Sequence, residues 1–295
     1  MTNQLVQQNN QNPHQDMGIL LVQCSDRLGL IELLNTFFSE RGLVVARYEK
    51  VTCDDQAFSR LEWSLDDLWE DQDAFSSQFE PIAEQLQAQF SVRFMSEQHS
   101  IGLFASKQTH ALVDVLNKHQ SGFFPSMEVS FIIGNDQSIE KVADRYGVPF
   151  FLIDTNDDAL EYEKRQLEIV QRYKPNYLGL TNYINTLSAN FLLHLECPVV
   201  NVHRAFLSAS SVVESSQMAF DQGVKTIGAT ARFVTPELNQ GAIIEQNLVR
   251  LNSVSSVDEI NDYGNEVEKK VFTDALLKLY QHKVCVYKNR TIVFN

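Results

Sequence analysis

Apolar and polar positions change rhythm once along the chain, near Ser100. Before it, Gly18–Cys24 (GILLVQC) is an apolar run of strand length. Leu30, Leu33, Leu34 and Phe37 follow at helical spacing, with Ser25 and Asp26 as candidate N-cap residues and Gly42 as the stop. Leu43–Thr52 and Ala57–Leu65 read as strands. In the second, Leu61, Trp63 and Leu65 alternate with Glu62 and Ser64, the period of a half-buried strand. Asp73 opens another helix, with Phe75, Phe79, Ile82, Leu86 and Phe90 on one side, and Ser91–Met95 supplies a last strand. The order β-α-β-β-α-β is the split βαβ, or ferredoxin-like, pattern. It predicts a four-stranded antiparallel sheet with two helices on one face.

Beyond Ser100, short apolar runs (Ile101–Ala105, Met127–Ile133, Phe150–Ile153, Tyr177–Leu180, Val199–Val202) alternate with helical stretches at Thr109–His119, Ile139–Tyr146 and Asp158–Tyr173. This alternation predicts a mostly parallel, doubly wound sheet covered on both faces. Gly241–Val249 reads as a further strand, Val257–Gln281 as a long helix, and Lys283–Tyr287 with Thr291–Phe294 as a terminal hairpin. The expected organisation is a disordered tail over 1–17, one domain over 18–96 and a second over 100–295. Open parallel sheets take ligands beyond the carboxyl ends of their strands. The loops after Leu180, Val202 and Thr230 are therefore the places to look for chemistry.

Composition narrows the function. The 295 residues carry a formal net charge of −14. That argues against a nucleic-acid partner, which calls for a basic surface. The Gln- and Asn-rich start, Met1–Gln15, lacks the apolar core of a signal peptide, and no apolar run has the length of a membrane span. Cys24, Cys53, Cys197 and Cys285 show no metal or redox spacing. They are expected as buried thiols of a cytoplasmic protein, with no metal and no prosthetic group.

Three segments stand out. Cys24–Leu30 (CSDRLGL) joins a strand to a helix through a small polar turn. Its free backbone N–H groups suit a helix cap or a small carboxylate. Asn201-Val202-His203 follows the apolar run Pro198–Val200 directly; a histidine there suits a ligand, though read alone it is more often structural. Gly228–Val234 (GATARFV) and Glu237–Gln246 (ELNQGAIIEQ) read by themselves as two strands joined by a polar turn, with Gly241 as its permissive residue.

The D-R-x-G-L turn inside a β-α-β-β-α-β unit resembles an ACT domain. That resemblance implies an amino-acid site around Asp26, Gly29 and Leu30, and pairing of subunits into a homo-oligomer. Together, ILLVQCSDRLGL, RLEWSLD, VADRYGVPF, VVNVHRAFL, GVKTIGATARFVTPELNQGAIIEQNLVR and KVCVYKNRTIVF resemble the bacterial formyltetrahydrofolate deformylases. These have an N-terminal ACT domain and a formyltransferase-type hydrolase domain. The likeness runs from about residue 18 to the end. It implies a folate substrate, 10-formyltetrahydrofolate, split to formate and tetrahydrofolate within one-carbon metabolism and purine biosynthesis.

The same resemblance assigns Asn201 and His203 to the formyl oxygen, where preorganised donors stabilise the charge that develops as water attacks. It sets Tyr183, Ile184 and Leu187 beside the folate, and it also points to Arg232 and Gly241. A family aspartate, which orients the histidine and handles the proton of the water, falls in Leu238-Asn239-Gln240-Gly241, where this chain has Asn239. An amide takes up no proton near neutral pH. The tract Ser210–Ser216 and Arg204-Ala205-Phe206-Leu207-Ser208 also depart from the family pattern. Three readings follow from the resemblance: a deformylase with weak or absent activity, a catalytically silent ligand-binding or regulatory paralogue, and formyl transfer to an amine.

Overall fold

The structure is a computed structural model and describes residues 17–65, 71–124, 126–155, 158–206, 215–237, 240–251 and 256–295. The expected tail lies outside the described residues except for Met17, which begins the first strand. The chain divides into two compact units, one up to Glu97 together with Phe294–Asn295, the other from Gln98 to Val293.

The first unit runs β1 (Met17–Ser25), α1 (Leu30–Glu40), β2 (Val45–Cys53), β3 (Gln56–Ser64), α2 (Gln72–Leu86) and β4 (Gln89–Phe94). Its sheet has the order β2-β3-β1-β4 and is antiparallel throughout. Alternate strand residues Leu20, Val22, Cys24, Leu61, Trp63 and Val92 meet Leu34, Phe37 and Phe38 of α1 and Phe75 and Phe79 of α2 in one core. Both helices therefore cover the same face. Trp63 stacks on Phe75 with ring centroids 4.5 Å apart.

Two expectations are corrected here. Ser25 and Asp26 do not cap α1. Gly29 holds the N-cap position in the left-handed conformation (φ 83°), without a side-chain cap, and the Asp26 carboxylate accepts from Lys50 Nζ at 2.5 Å instead. Phe90 is not on the second helix. Gln87, left-handed at φ 51°, ends α2, and Phe90 lies in β4 with its ring 5.0 Å from that of Phe79. The spacing from Leu86 to Phe90 matches one helical turn, yet both residues reach the same core from different elements.

The second unit comprises β5 (His99–Ala105), α3 (His110–Gln120), β6 (Met127–Gly134), α4 (Glu140–Tyr146), β7 (Phe150–Leu152), α5 (Ala159–Tyr173), β8 (Tyr177–Thr181), α6 (Ala189–Leu193), β9 (Val199–Phe206), α7 (Ser216–Asp221), β10 (Thr226–Phe233), β11 (Ile243–Arg250), α8 (Val257–Tyr280) and the hairpin β12 (Val284–Tyr287) and β13 (Arg290–Val293). Seven strands make one sheet in the order β11-β10-β9-β8-β5-β6-β7. The run from β7 to β9 is parallel, and β10 and β11 add two antiparallel strands. The order reverses between β5 and β8, the switch point at which such sheets leave a crevice.

The two faces can be told apart at β8. Leu178 and Leu180 join the core with Tyr162 and Val170 of α5 and Phe191 of α6. A Cβ on Gly179, between them, would meet Phe272 of α8 at 2.9 Å. Alternation along a strand extends this division to its neighbour. Val199 and Asn201 of β9 pair in register with Leu178 and Leu180 and share their face. Among the described residues, no helix is long and apolar enough to cross a membrane. Contrary to the expectation of buried thiols, only Cys24 is buried, the others being half-buried.

Candidate active site

β9 does not stop at Val202. The parallel ladder with β8 ends at Leu180 opposite Asn201, but β9 continues to Phe206 on antiparallel pairing with β10 alone. Asn201 and His203, two apart, project on the same face as Leu180. His203 stands past the end of the parallel pairing and is exposed. Likewise Thr230 does not end its strand. It pairs with His203 in the middle of β10, and the turn begins only after Phe233. Across the ladder Arg232 lies opposite Asn201. Between Ala231 and Arg232 the register with β11 slips, leaving Ile244 as the extra residue of a bulge, a device that re-aims side chains near sites.

Beyond these strand ends opens a cleft of about 150 Å³, lined among others by Tyr183, Ile184, Leu187, Asn201 and Arg232. Five of the expected site residues thus meet in one place. Val234–Pro236, after β10, form another wall. His203 is not among the residues lining the cleft, although it shares the face of Asn201. Asn239, with Leu238, lies outside the described residues. Gly241 is not in the lining either, and its backbone need is different from the one expected. A Cβ there would fall 1.7 Å from the carbonyl oxygen of Phe233, so close approach, not an unusual φ, requires glycine. Gly241→Ala should displace the Phe233–Pro236 wall and destabilise the unit by about 1–3 kcal/mol, read as a lower melting temperature.

Asp26, Gly29 and Leu30 lie in the turn before α1 and at its start. Asp26 is engaged by Lys50 and Thr52, and Leu30 is buried in the core.

Tyr183–Leu187 has no regular secondary structure, and hydrogen bonds from the ends of β5 and β6 and from α5 hold it and the adjoining Ser188. Ile184 N donates to Ser106 Oγ just after β5 (3.2 Å), and Asn185 Oδ1 accepts from Asn135 just after β6 (2.9 Å). From α5, Gln166 Nε2 donates to the Tyr183 hydroxyl (2.8 Å), and the Glu163 carboxylate accepts from Ser188 N (2.7 Å) and Ser188 Oγ. Burial pushes the Tyr183 phenol up to about 12, so it keeps its proton at neutral pH. Its ring stands edge-on to Phe104 at 5.4 Å.

On the opposite face of the sheet, Arg204 of β9 reaches α8. Its Nη2 donates to Asn265 Oδ1 (2.7 Å) and to Glu268 Oε2 (2.9 Å). His110 Nε2 lies 2.7 Å from the same carboxylate oxygen, and Asn182 Nδ2 lies 3.4 Å from it. Burial by itself would raise the Glu268 carboxyl. The hydrogen bonds from His110 and Arg204, with the guanidinium charge, outweigh burial and hold it below the usual carboxylate value. Sequence reading did not single out Glu163, Gln166, His110 or Glu268. The available signal was polar residues at buried stripe positions of amphipathic helices.

The open end of a doubly wound sheet, a strand-borne Asn and His pair, and a tethered loop along the cleft define a formyltransferase-fold protein, and the formyl transferase family model matches residues 100–276. The Synechocystis formyltetrahydrofolate deformylase is 31% identical over 278 residues, 93% of this chain and 97% of that protein. The Bacillus subtilis formyltetrahydrofolate deformylase is 29% identical over 286 residues, covering 96% and 95%. The crystal structure of a formyltetrahydrofolate deformylase from Pseudomonas syringae superposes with a TM-score of 0.87 at 26% identity, covering 97% of this chain and 96% of that one. The chain belongs to the formyltetrahydrofolate deformylase family.

Proposed function

We propose that the cleft binds 10-formyltetrahydrofolate and that the protein hydrolyses it weakly, releasing formate and tetrahydrofolate. The observation that carries this reading is the meeting of Asn201 and Arg232 with the loop Tyr183–Leu187 at the carboxyl end of the parallel strands. The relatives named above are, by name, formyltetrahydrofolate deformylases.

In this chemistry the oxygen of a water attacks the formyl carbon. The carbonyl π electrons move onto oxygen, and Asn201 Nδ2 and the His203 ring stabilise the oxyanion. Collapse expels N10 of the folate, which takes up a proton, while the water proton needs an acceptor. By the resemblance, Asn239 stands in place of the family aspartate, and an amide could orient the water but could not accept its proton. That observation favours a second reading, a silent paralogue that keeps the ligand and has lost turnover.

Measuring tetrahydrofolate binding and formate release on the same sample separates the two readings. Binding with slow release supports the first, and binding with no release supports the second. Wild-type turnover on the order of 1–10³ per second would contradict both. In the active case Asn201→Ala should lower the remaining rate about 10²–10³-fold, the usual loss for one oxyanion donor.

The first unit, read as an ACT domain, is proposed to take an amino acid and to pair between subunits in a cytoplasmic homo-oligomer. Its βαββαβ order and its Asp-Arg-x-Gly-Leu turn support this. Light scattering should give a mass above that of the 33.6 kDa chain; a clean monomer at micromolar concentration would refute it.

A further inference from the structure

Helix α5 buries Tyr162, Glu163, Gln166 and Val170 in one stripe. Such a stripe is ordinarily apolar. Gln166 is fully buried, and its Oε1 meets no donor among the described residues. An amide held this way is less stable in a core than leucine would be. Glu163 is buried almost as deeply. Both side chains direct their hydrogen bonds to the same short loop. Gln166 meets the hydroxyl of Tyr183 at its start, and Glu163 meets the amide and hydroxyl of Ser188 at its end. Between these two anchors lie Ile184, Asn185, Thr186 and Leu187, all of which line the cleft.

We propose that Gln166 and Glu163 are positioning residues that hold the loop Tyr183–Ser188 in its ligand-binding shape, Gln166 acting through the Tyr183 hydroxyl. The loop enters from Asn182, itself left-handed at φ 54°, and leaves into the N-terminus of α6, where Ser188 Oγ accepts from Phe191 N at 3.0 Å. No helix or strand fixes the shape of the loop. Its course depends on the side chains that receive it, and a preformed loop spares the ligand the cost of ordering it. Two buried polar groups one helical turn apart make one rigid template, because they share a single helix.

The ligand part of this inference rests on the folate reading above; the positioning part does not. Hydrogen exchange of the unliganded protein and tetrahydrofolate titration would be compared for wild type, Gln166→Leu, Tyr183→Phe, the double variant and Glu163→Gln. In Gln166→Leu, the amides of 183–187 should exchange roughly tenfold faster and tetrahydrofolate should bind roughly tenfold more weakly. The melting temperature should be unchanged or higher. In the Tyr183→Phe background the same substitution should change loop exchange less than twofold. Glu163→Gln keeps one acceptor, so it should loosen chiefly residues 187–189.

Unchanged loop exchange, faster exchange spread evenly over the unit, or an equal effect in both backgrounds would overturn the proposal. If wild type binds no tetrahydrofolate, the ligand reading of the cleft fails. Loop exchange and the Tyr183→Phe comparison then decide the positioning role alone.

Discussion

Asn239→Asp should raise formate release from 10-formyltetrahydrofolate by about 10²-fold, the lower end of what a positioned general base contributes. Asparagine and aspartate are nearly equal in volume, so the substitution changes charge and proton affinity while leaving shape alone. On the proposed mechanism the new carboxylate would take the proton from the attacking water. Asn201, the oxyanion donor of the proposed mechanism, lines the cleft, and His203 shares its face of β9. The gain should fall short of a 10⁴-fold maximum if, as the resemblance implies, Arg204–Ser208 and Ser210–Ser216 depart from the family pattern and align the substrate less well. The gain should also vanish at pH below the range in which a carboxylate ionises. Stopped assays of formate against pH for the two proteins test both points. A variant that binds tetrahydrofolate as wild type does, yet releases formate no faster at any pH, would show that the missing base is not what limits this protein.

Most of the fold was legible because burial imposes a period. The alternation of Leu61, Trp63 and Leu65 reported a strand, and Trp63 is indeed buried against Phe75. The parallel strands read as continuous apolar runs since both of their faces are covered. What was not legible came from long-range pairing. Nothing local says that β9 outlasts its parallel partner by five residues, because the antiparallel β10 supports that extension. Asp26 looked like a cap because its residue type caps helices, but Lys50, on a different strand, reaches it first.

The site was legible to a different degree. Asn201, Arg232 and the loop at Tyr183–Leu187 were found through resemblance and meet in the cleft. Their supports were missed. A Gln or Glu in an amphipathic helix such as α5 is normally a solvated residue, and its burial shows only after the loop has folded onto it. The His110–Glu268–Arg204 cluster draws on α3, α8 and β9, so no window of sequence contains it.

That cluster carries the largest expected effect on stability. Glu268→Ala should destabilise the second unit by about 3–5 kcal/mol, the loss typical of breaking a buried ion pair, and should lower its melting temperature by roughly 10 °C. The Glu268 side chain is 5% exposed and that of Arg204 18%, so water cannot replace the lost carboxylate for the guanidinium. Asn265 and Asn261 would still accept from Arg204, but neither neutralises it. Glu268→Gln should fall between wild type and alanine, retaining an acceptor without the charge. Removing both partners together, as Glu268→Met with Arg204→Met, should recover much of the loss, because the guanidinium is then not left buried without its counter-charge. The pH dependence has a definite sign. The Glu268 carboxyl sits below its ordinary 4.5 in the folded protein, so its contribution is fully present above about pH 5 and is lost as the pH falls through the depressed folded value. The stability gap between wild type and Glu268→Ala should therefore narrow as the pH falls below about 4.5. Denaturant titrations at several pH values measure that gap directly. A gap that stays the same down to pH 3, or an alanine variant as stable as wild type, would mean that the carboxylate is not what holds His110 and Arg204 together.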